Sequence, residues 1–347
     1  MLHYLNKEEK NRSRELWEQA FPEDSDCFRD YYYTEKTRDN RLLVLEEGGQ
    51  ILSMLHRNPY LLQMGEKTAV CDYIVGVATD KNSRRKGYMR QLMEKALKDM
   101  REEGMPFCFL MPAFEALYLP FDFTYIYKKQ SRELQQEKFS NLQLRRAENR
   151  DLQAAAAYME AWLSKRYEVY AKRDFSYIER LKREIESENG CLELLFEKDT
   201  LAGMKAYWGM DKPEERLLFC EENYSRLQGD ATPAIMGRIV NLPEFLSCIR
   251  LRETAEKEEY TVILGVEDRI LPENAGLWKW TINRSSSGAK RICPKAEEKS
   301  ESKEKADISL EISEITAWLF GYSVPDSLGV WRERIRPFCG VFLDEIV

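Results

Sequence analysis

Residues 75–91 read VGVATDKNSRRKGYMRQ, and this stretch shows how the first part of the chain is organised. An apolar run ends at Asp80, three basic residues follow, and Gly87 stands before a long helical pattern. Glycine lets the backbone approach a ligand closely, and the free amides of a helix's first turn attract anions. The stretch therefore predicts an anion site between a strand and a helix, with a solvated basic turn as the alternative. Its spacing matches neither a Walker loop nor the GxGxxG fingerprint.

The composition limits the classes of protein to consider. A chain of 347 residues, of which 43% are hydrophobic, is long enough for two or three folded cores. A net charge of -7 gives no general attraction to nucleic acid, and no apolar stretch approaches the roughly 18 residues of a membrane span. Eight scattered cysteines and two histidines predict neither a metal site nor a disulfide framework. We expect a cytoplasmic protein with reduced thiols and no nucleic-acid or membrane partner.

The residues around the basic stretch predict a mixed α/β layer. Residues 1–24 lack the apolar segment of a secretory signal and look like a charged helix. Turn signals at 47–50 and 63–67 predict three or four antiparallel strands before the basic stretch. Apolar residues at helical spacing over 89–100 predict a helix after it, and the wholly apolar run at 106–113 predicts a buried strand.

The whole chain divides into three expected domains, 1–130, 131–237 and 238–347. The second contains helical patterns and a hairpin that turns at Lys198-Asp199. The third begins with a strand that leads into a helix, followed by two alternating strands. Because the chain is apolar almost to its last residue, we expect the C-terminus to be packed inside the protein.

The stretch VGVATDKNSRRKGYMRQLM resembles motif A of the GNAT acetyltransferase superfamily, whose pattern is (Arg/Gln)-x-x-Gly-x-(Gly/Ala). Here the pattern runs from Arg84 to Met89, and Met89 departs from the small final residue. A large apolar residue there is tolerated in the enhanced intracellular survival (Eis) subgroup. The segments GRIVNLPEFL and ITAWLFGYSVPDSL and the apolar C-terminal tail also resemble that subgroup. The resemblance implies tandem GNAT-like mixed-sheet domains, α/β (α+β) in class, followed by a sterol-carrier-protein-like α+β domain.

The same resemblance implies acetyl-CoA as co-substrate, with no metal. Val77 and Thr79 would pair their backbone with the pantetheine arm like an added strand. The amides that would grip the diphosphate belong to Arg84, Arg85, Lys86, Gly87, Tyr88 and Met89.

The resemblance also implies an acid and a base. GNAT enzymes often take the acid from a Tyr-x-x-x-Gly-Phe segment, and in LYLPFDF the tyrosine is Tyr118 while Asp122 replaces the glycine. The Eis subgroup places its acid at the last aromatic, which here is Phe123 and carries no proton. Either Tyr118 acts, or Tyr125 does, or the thiolate leaves unaided; we favour Tyr118.

The subgroup's base is the α-carboxylate of the last residue, here Val347, and the alternative is that Val347 simply packs in the core. Glu115 and Asp122 are carboxylates near the expected site that could bind a cationic amine.

The resulting hypothesis is an N-acetyltransferase that moves acetyl from acetyl-CoA directly to a primary amine. The resemblance implies a small cationic acceptor, polyamine-like or aminoglycoside-like, and a homo-oligomer, with the hexamer as the subgroup's assembly. The alternative is a non-catalytic protein that senses CoA or binds an apolar ligand, and the departures at Asp122 and Phe123 keep that alternative open.

Overall fold

The described residues of this computed structural model, 1–135, 141–209, 212–292 and 305–345, form nineteen strands and eight α-helices. In chain order the strands are β1 (Leu2–Tyr4), β2 (Arg41–Glu47), β3 (Gln50–Met64), β4 (Lys67–Thr79), β5 (Phe107–Leu110), β6 (Thr124–Leu134), β7 (Leu142–Arg146), β8 (Val169–Ala171), β9 (Cys191–Glu197), β10 (Thr200–Trp208), β11 (Glu214–Cys220), β12 (Ser225–Ile239), β13 (Arg250–Leu251), β14 (Glu259–Glu267), β15 (Gly276–Asn283), β16 (Ser287–Arg291), β17 (Ile308–Glu311), β18 (Ile335–Arg336) and β19 (Val341–Phe342). The helices are α1 (Arg14–Ala20), α2 (Asp26–Thr34), α3 (Tyr88–Glu102), α4 (Leu152–Ser164), α5 (Phe175–Ser187), α6 (Leu242–Leu246), α7 (Ile312–Leu319) and α8 (Trp331–Arg334).

The first sheet contains the strands predicted around the basic stretch. Its order is β1-β2-β3-β4-β5-β12-β6, and β8 and β19 extend it beside β3. The hairpins predicted at 47–50 and 63–67 are confirmed, because β2 pairs antiparallel with β3 and β3 pairs antiparallel with β4. Strand β5 then joins β4 in parallel, as a crossover through helix α3 allows. The mixed α/β layer predicted from the sequence is therefore present.

The first residues differ from the charged helix predicted over 1–24. Residues Leu2–Tyr4 form strand β1, with Leu2 opposite Leu45 of β2, and helix α1 begins only at Arg14. A three-residue segment is too short to sustain a helix alone, so pairing with the open sheet edge decides its conformation.

Helices cover both faces of the first sheet. Helix α3 packs its apolar side against Leu43, Leu55 and Ile74, and its contributing residues are Leu92, Met93, Ala96, Leu97 and Met100. On the opposite face Trp17 of α1 and Tyr32 of α2 are buried against the sheet. The sheet is therefore held between two layers, and the basic stretch lies where β4 leads into α3.

A second sheet, in the order β11-β10-β9-β7, follows in the chain with α4 and α5 packed on it. The predicted turn at Lys198-Asp199 joins β9 to β10, with Thr200 opposite Glu197. Strand β12 pairs instead with β5 and β6 of the first sheet, although it falls within residues 131–237. A strand from late in the chain thus completes the first sheet.

The C-terminal third forms the sheet β16-β15-β14-β17 around the buried rings of Trp280 and Trp318. Its core is continuous with that of the first sheet. The ring of Phe107 in β5 lies 6.1 Å from Phe245 and 4.9 Å from Phe320. The third unit therefore packs directly against β5, the strand that pairs with β4.

The end of the chain is packed inside the protein as far as the structure describes it. Phe338 and Leu343 are buried, while Ile346 and Val347 lie outside the described residues. None of the helices described is long and apolar enough to cross a membrane.

Candidate active site

Strand β4 carries an irregularity just before the basic stretch. Ala78 pairs with Met54, but Val75 pairs with His56, so two residues of β4 face one residue of β3. Gly76 lies within this bulge and has φ 60°. An extra residue of this kind bends a strand and re-aims its backbone groups.

The bulge requires glycine for two reasons. A side chain at φ 60° is strained, and a Cβ on Gly76 would lie 2.4 Å from Cζ3 of Trp17. Helix α1 therefore packs directly onto the bulge, and no larger residue fits between them.

Strands β4 and β5 diverge next to the bulge. The two strands pair at Tyr73 and Phe109, and β4 continues to Thr79 while β5 ends at Leu110. Beyond Tyr73, the edge of β4 that faces β5 has no strand partner among the described residues. Unpaired strand groups can bind an extended ligand as an added strand.

The basic stretch forms the turn that leads into helix α3. Arg85 and Gly87 have positive φ values of 63° and 80°. Left-handed residues in such turns make backbone amides line a concave surface. Helix α3 begins at Tyr88, and no side chain caps its first amides. These amides therefore remain available for an anion at the positive end of the helix dipole.

The side chains of the turn lie around this helix end. Arg84, Arg85 and Lys86 are exposed. Nε of Arg84 donates a hydrogen bond to the carbonyl of Thr79 at 3.3 Å, which ties the turn to the end of β4. The hydroxyl of Tyr88 donates to Glu47 at 2.9 Å. Val77 and Met89 pack, partly buried, against the core under α3. The structure thus brings all the predicted coenzyme residues to one end of β4 and α3.

The segment expected to supply the acid forms two short turns after β5. Tyr118 is 8% exposed, its ring lies 6.1 Å from Phe123, and its hydroxyl makes no hydrogen bond to a described residue. Burial raises the pKa of Tyr118 to about 12, so its hydroxyl keeps its proton at neutral pH.

Asp122 occupies the position where the GNAT pattern has glycine, and its φ is 59°. Aspartate tolerates this left-handed conformation better than most residues. Its Oδ2 lies 3.5 Å from Nη2 of the buried Arg238. Asp122 therefore has a cationic partner already, which weakens its candidacy as an amine-binding group.

Tyr125, the other candidate acid, is placed differently. It lies on β6, where it pairs with Met236 of β12, and its ring stacks on Tyr322 at 6.1 Å. Burial and the neighbouring carboxylate of Glu115 raise the pKa of Tyr125. The Tyr125 hydroxyl thus has an acidic neighbour, whereas that of Tyr118 has no hydrogen-bond partner among the described residues.

The C-terminal tail enters the sheet beside β8. Strand β19 pairs in parallel with β8, and Glu345 beyond it is 1% exposed. An oxygen of Glu345 accepts a hydrogen bond from Nη2 of Arg173 at 2.6 Å, and the other accepts from the Tyr177 hydroxyl at 2.6 Å. Burial raises the pKa of Glu345, but the charge and hydrogen bonds of Arg173 and Tyr177 outweigh it, so the pKa lies below its usual value.

A cavity of about 210 Å³ opens beside this tail. It lies between β3, α5 and Glu345, and Tyr60 forms part of its wall. The Tyr60 ring is 6.3 Å from Tyr73 and 6.1 Å from Phe109, the last pair before β4 and β5 diverge. Tyr60 thus lines the cavity and also packs against the residue pair at which β4 and β5 diverge.

The lining of this cavity carries four basic and four acidic side chains: Lys36, Lys172, Arg180 and Arg216, and Asp39, Asp174, Glu184 and Glu345. The buried Lys36 and Glu184 form an ion pair with atoms 3.0 Å apart. The lining is therefore charged but balanced in sign.

Sequence reasoning missed several of these residues. Gly76 could have been recognised, because glycine inside a strand pattern often marks a bulge. Arg238 stands in the apolar run IMGRIV, and a charge there signals a buried partner. Arg173 and Tyr177 carry no such signal, because their partner is 172 and 168 residues away in the chain.

Two family matches agree with this geometry. Residues 2–126 match the family described as acetyltransferase (GNAT) domain, and residues 242–336 match the sterol carrier protein domain. No curated protein matches the chain significantly. Among the described residues, no group of three or more histidine, cysteine, aspartate or glutamate side chains is placed to hold a metal ion.

Solved structures share the fold along nearly the whole chain. A probable N-acyltransferase from Enterococcus faecalis V583 has a TM-score of 0.75 and 15% identity, over 97% of this chain and 93% of that one. A GCN5-related N-acetyltransferase from Kribbella flavida has a TM-score of 0.75 and 14% identity, over 100% and 98%. Eis1 from Mycobacterium abscessus has a TM-score of 0.66 and 12% identity, over 92% and 89%.

The fold, the basic turn and the family matches together define a protein with a GNAT acetyltransferase domain and a sterol carrier protein domain. The chain thus contains a GNAT-type acetyltransferase domain, and its whole-chain fold is shared with Eis1.

Proposed function

We propose that the enzyme transfers acetyl from acetyl-CoA directly to a primary amine of a small cationic substrate. The observation that carries this proposal is the divergence of β4 and β5 after Tyr73 and Phe109. The basic turn lies at the end of β4, and the charged cavity borders the divergence through Tyr60. A donor and an acceptor could thus meet between the strands without a covalent enzyme intermediate.

The coenzyme is proposed to bind along β4. The amides of residues 84–89 would hold the diphosphate, because they lie at the uncapped start of α3 beside three exposed cations. Val77 and Thr79 would pair their backbone with the pantetheine arm. This arrangement would place the thioester near the bulge at Gly76, whose re-aimed backbone groups could polarise its carbonyl.

The acceptor amine is proposed to bind in the cavity beside Tyr60. Its volume of about 210 Å³ is below the roughly 300 Å³ at which pockets for drug-sized ligands begin, so polyamine-like acceptors fit better than aminoglycoside-like ones. Asp174, an acidic side chain of the lining with no ion pair to a described residue, would attract the ammonium form. Lys36 and Arg216 nearby would favour its deprotonation, since a neighbouring like charge lowers an amine's pKa.

Proton transfer is proposed to use Tyr118 and the chain terminus. The amine nitrogen attacks the thioester carbon, the carbon–sulfur bond breaks, and the departing thiolate takes the proton of Tyr118. The α-carboxylate of Val347 would accept a proton from the amine, directly or through water, and solvent would return one to Tyr118. The burial of Glu345, two residues before Val347, supports this proposed role.

Three further proposals complete the assignment. We propose domains at 1–130, 131–237 and 238–347, with strand β12 of the second domain paired into the sheet of the first. A cytoplasmic location is supported by the described cysteines, all of which are free thiols. A homo-oligomer, with the hexamer as first expectation, would be tested by light scattering of the eluted protein.

The test is product formation from acetyl-CoA with putrescine, spermidine and kanamycin, followed by mass spectrometry of the acetylated amine. We expect the two polyamines to be acetylated with a higher kcat/KM than kanamycin. Tyr118→Phe should lower kcat by about 100-fold, as loss of a general acid does, and Tyr125→Phe is the matched control. Removal of Val347 should lower kcat similarly. Tight coenzyme binding without turnover on any amine would overturn the proposed acceptor class.

A further inference from the structure

The turn that carries Tyr118 is gripped by Arg238, an arginine of β12 with no exposed surface. Its Nε donates to the carbonyl of Phe121 at 2.7 Å, and its Nη2 lies 3.5 Å from Asp122. The amide of Phe121 in turn donates to the carbonyl of Tyr118 at 3.0 Å. Arg238 therefore fixes the backbone of the turn three and four residues beyond the proposed acid.

Arg238 is itself held from the C-terminal domain. Its Nη2 donates to Oδ1 of Asp268 at 2.7 Å, and both side chains are fully buried. Asp268 accepts further hydrogen bonds from the amide of Leu271 at 2.8 Å and from Nδ2 of Asn274 at 3.0 Å. The carboxylate is thus locked in place by its own turn, and it can hold Arg238 in only one orientation.

The turn that contains Asp268 also contributes to the apolar core beneath α3. Leu271 has no exposed surface and belongs to the same apolar cluster as Tyr118, Phe121 and Phe123. A residue of the C-terminal domain thus packs among the residues of the acid segment. The C-terminal domain therefore contacts the turn of Tyr118 in two ways. Asp268 reaches it through the buried Arg238, and Leu271 packs against its apolar side chains.

We propose that Arg238 and Asp268 are positioning residues for Tyr118, so that the sterol-carrier-like domain sets the position of the acid. This inference rests on the proposed role of Tyr118. It gives the C-terminal domain a part in the reaction through contact with the acid segment, separate from the chain terminus. Misplacing a reacting group by about 1 Å can cost roughly 100-fold in rate, so partial loosening of the turn should cost about 10-fold.

The test is a double-mutant cycle on turnover. Asp268→Asn removes the charge that holds Arg238, and Asp268→Glu keeps the charge but shifts it. Arg101→Met is the matched control, because Arg101 forms a longer, more exposed ion pair of 4.0 Å with Glu273 of the same turn. Coenzyme binding measured by calorimetry shows that each variant is folded.

We expect Asp268→Asn to lower kcat about 10-fold, with the KM for acetyl-CoA changed less than twofold. In a Tyr118→Phe background the same substitution should change kcat less than twofold, because the group it positions is already gone. Asp268→Glu should keep more activity than Asp268→Asn. If the asparagine variant does not fold, the change in kcat caused by Asp268→Glu is compared in the two backgrounds instead.

An equal loss in both backgrounds, or a loss matched by Arg101→Met, would overturn the inference by showing a general structural effect. Full turnover in Asp268→Asn would overturn it as well. Full turnover in Tyr118→Phe alone would remove the acid assignment and this inference together, while leaving the acetyltransferase activity established by the same assay.

Discussion

The buried contact between Arg173 and Glu345 allows a quantitative prediction about the C-terminal tail. Arg173→Met removes the guanidinium, whose Nη2 lies 2.6 Å from Glu345, and leaves a carboxylate that is 1% exposed. Breaking a buried ion pair by removing one partner costs about 3–5 kcal/mol. If this cost falls on the docking of the C-terminal tail, the equilibrium ratio of docked to undocked tail falls by roughly a hundred- to several-thousand-fold. Because the hydrogen bond from Tyr177 to Glu345 would remain, we expect a cost towards the lower end of this range.

The assay is hydrogen exchange followed by mass spectrometry, read on the peptide that contains β19. The matched control is Lys129→Met, which removes a partly exposed ion pair from the neighbouring Asp344 and should cost at most about 1 kcal/mol. The double variant Arg173→Met with Glu345→Gln should regain part of the lost protection, because no buried charge is left unpaired. Equal exchange in wild type and Arg173→Met would refute the reasoning, since the tail would then be held by its other contacts.

The same pair predicts a pH dependence with a definite sign. Because the folded-state pKa of Glu345 is lowered, its stabilisation is complete above the unfolded carboxyl pKa of about 4.3 and is lost as pH falls through the folded value. Protection of the tail, corrected for intrinsic exchange, should stay level from neutral pH down to about 5 and fall below about 4. This acid step should be absent in Glu345→Gln. An unchanged step in that variant would assign the acid sensitivity to other carboxylates.

Two further predictions concern the coenzyme turn and the thiols. Gly87→Ala places a side chain at φ 80°, a strain of about 1–2 kcal/mol, and should raise the KM for acetyl-CoA several-fold. The control is Gly104→Ala, which has φ 78° just beyond the other end of α3 and a similar strain, and it should leave the KM for acetyl-CoA unchanged. An equal rise in KM in both variants would show that backbone strain alone is responsible. Burial raises the pKa of Cys108 to about 12, so a thiol reagent should label the exposed Cys27 long before Cys108. Peptide mapping measures the two labelling rates, and equal rates would contradict the buried position of Cys108.

Local sequence patterns were sufficient for the elements around the basic stretch. Glycines at 48, 49 and 65 mark the two turns between β2, β3 and β4, and the helical spacing of apolar residues over 89–100 specifies α3. The turn proposed to bind an anion was predicted from Gly87 and its position between a strand and a helix, and the structure has a turn there. These features depend on residues close together in the chain, so local geometry and hydrophobic spacing determine them.

The candidate site depends on contacts that local patterns do not encode. Leu2–Tyr4 became a strand because an open sheet edge was present, and β12 was taken into the first sheet from more than a hundred residues beyond β5. Tyr118 and Tyr125 could not be separated by spacing. In the structure the Tyr118 hydroxyl has no hydrogen-bond partner among the described residues, whereas Tyr125 has Glu115 as an acidic neighbour.

The sequence alone therefore predicted the class of the protein, the turn proposed to bind the coenzyme and the candidates for its acid. Only the tertiary structure decided that Arg173 and Tyr177 hold the tail at Glu345 and that Asp268 holds Arg238 against the acid segment. Each of these contacts joins residues at least 30 positions apart in the chain. The physical reason is that a buried charge must find a partner in space, and chain folding rather than sequence spacing sets which partner is near.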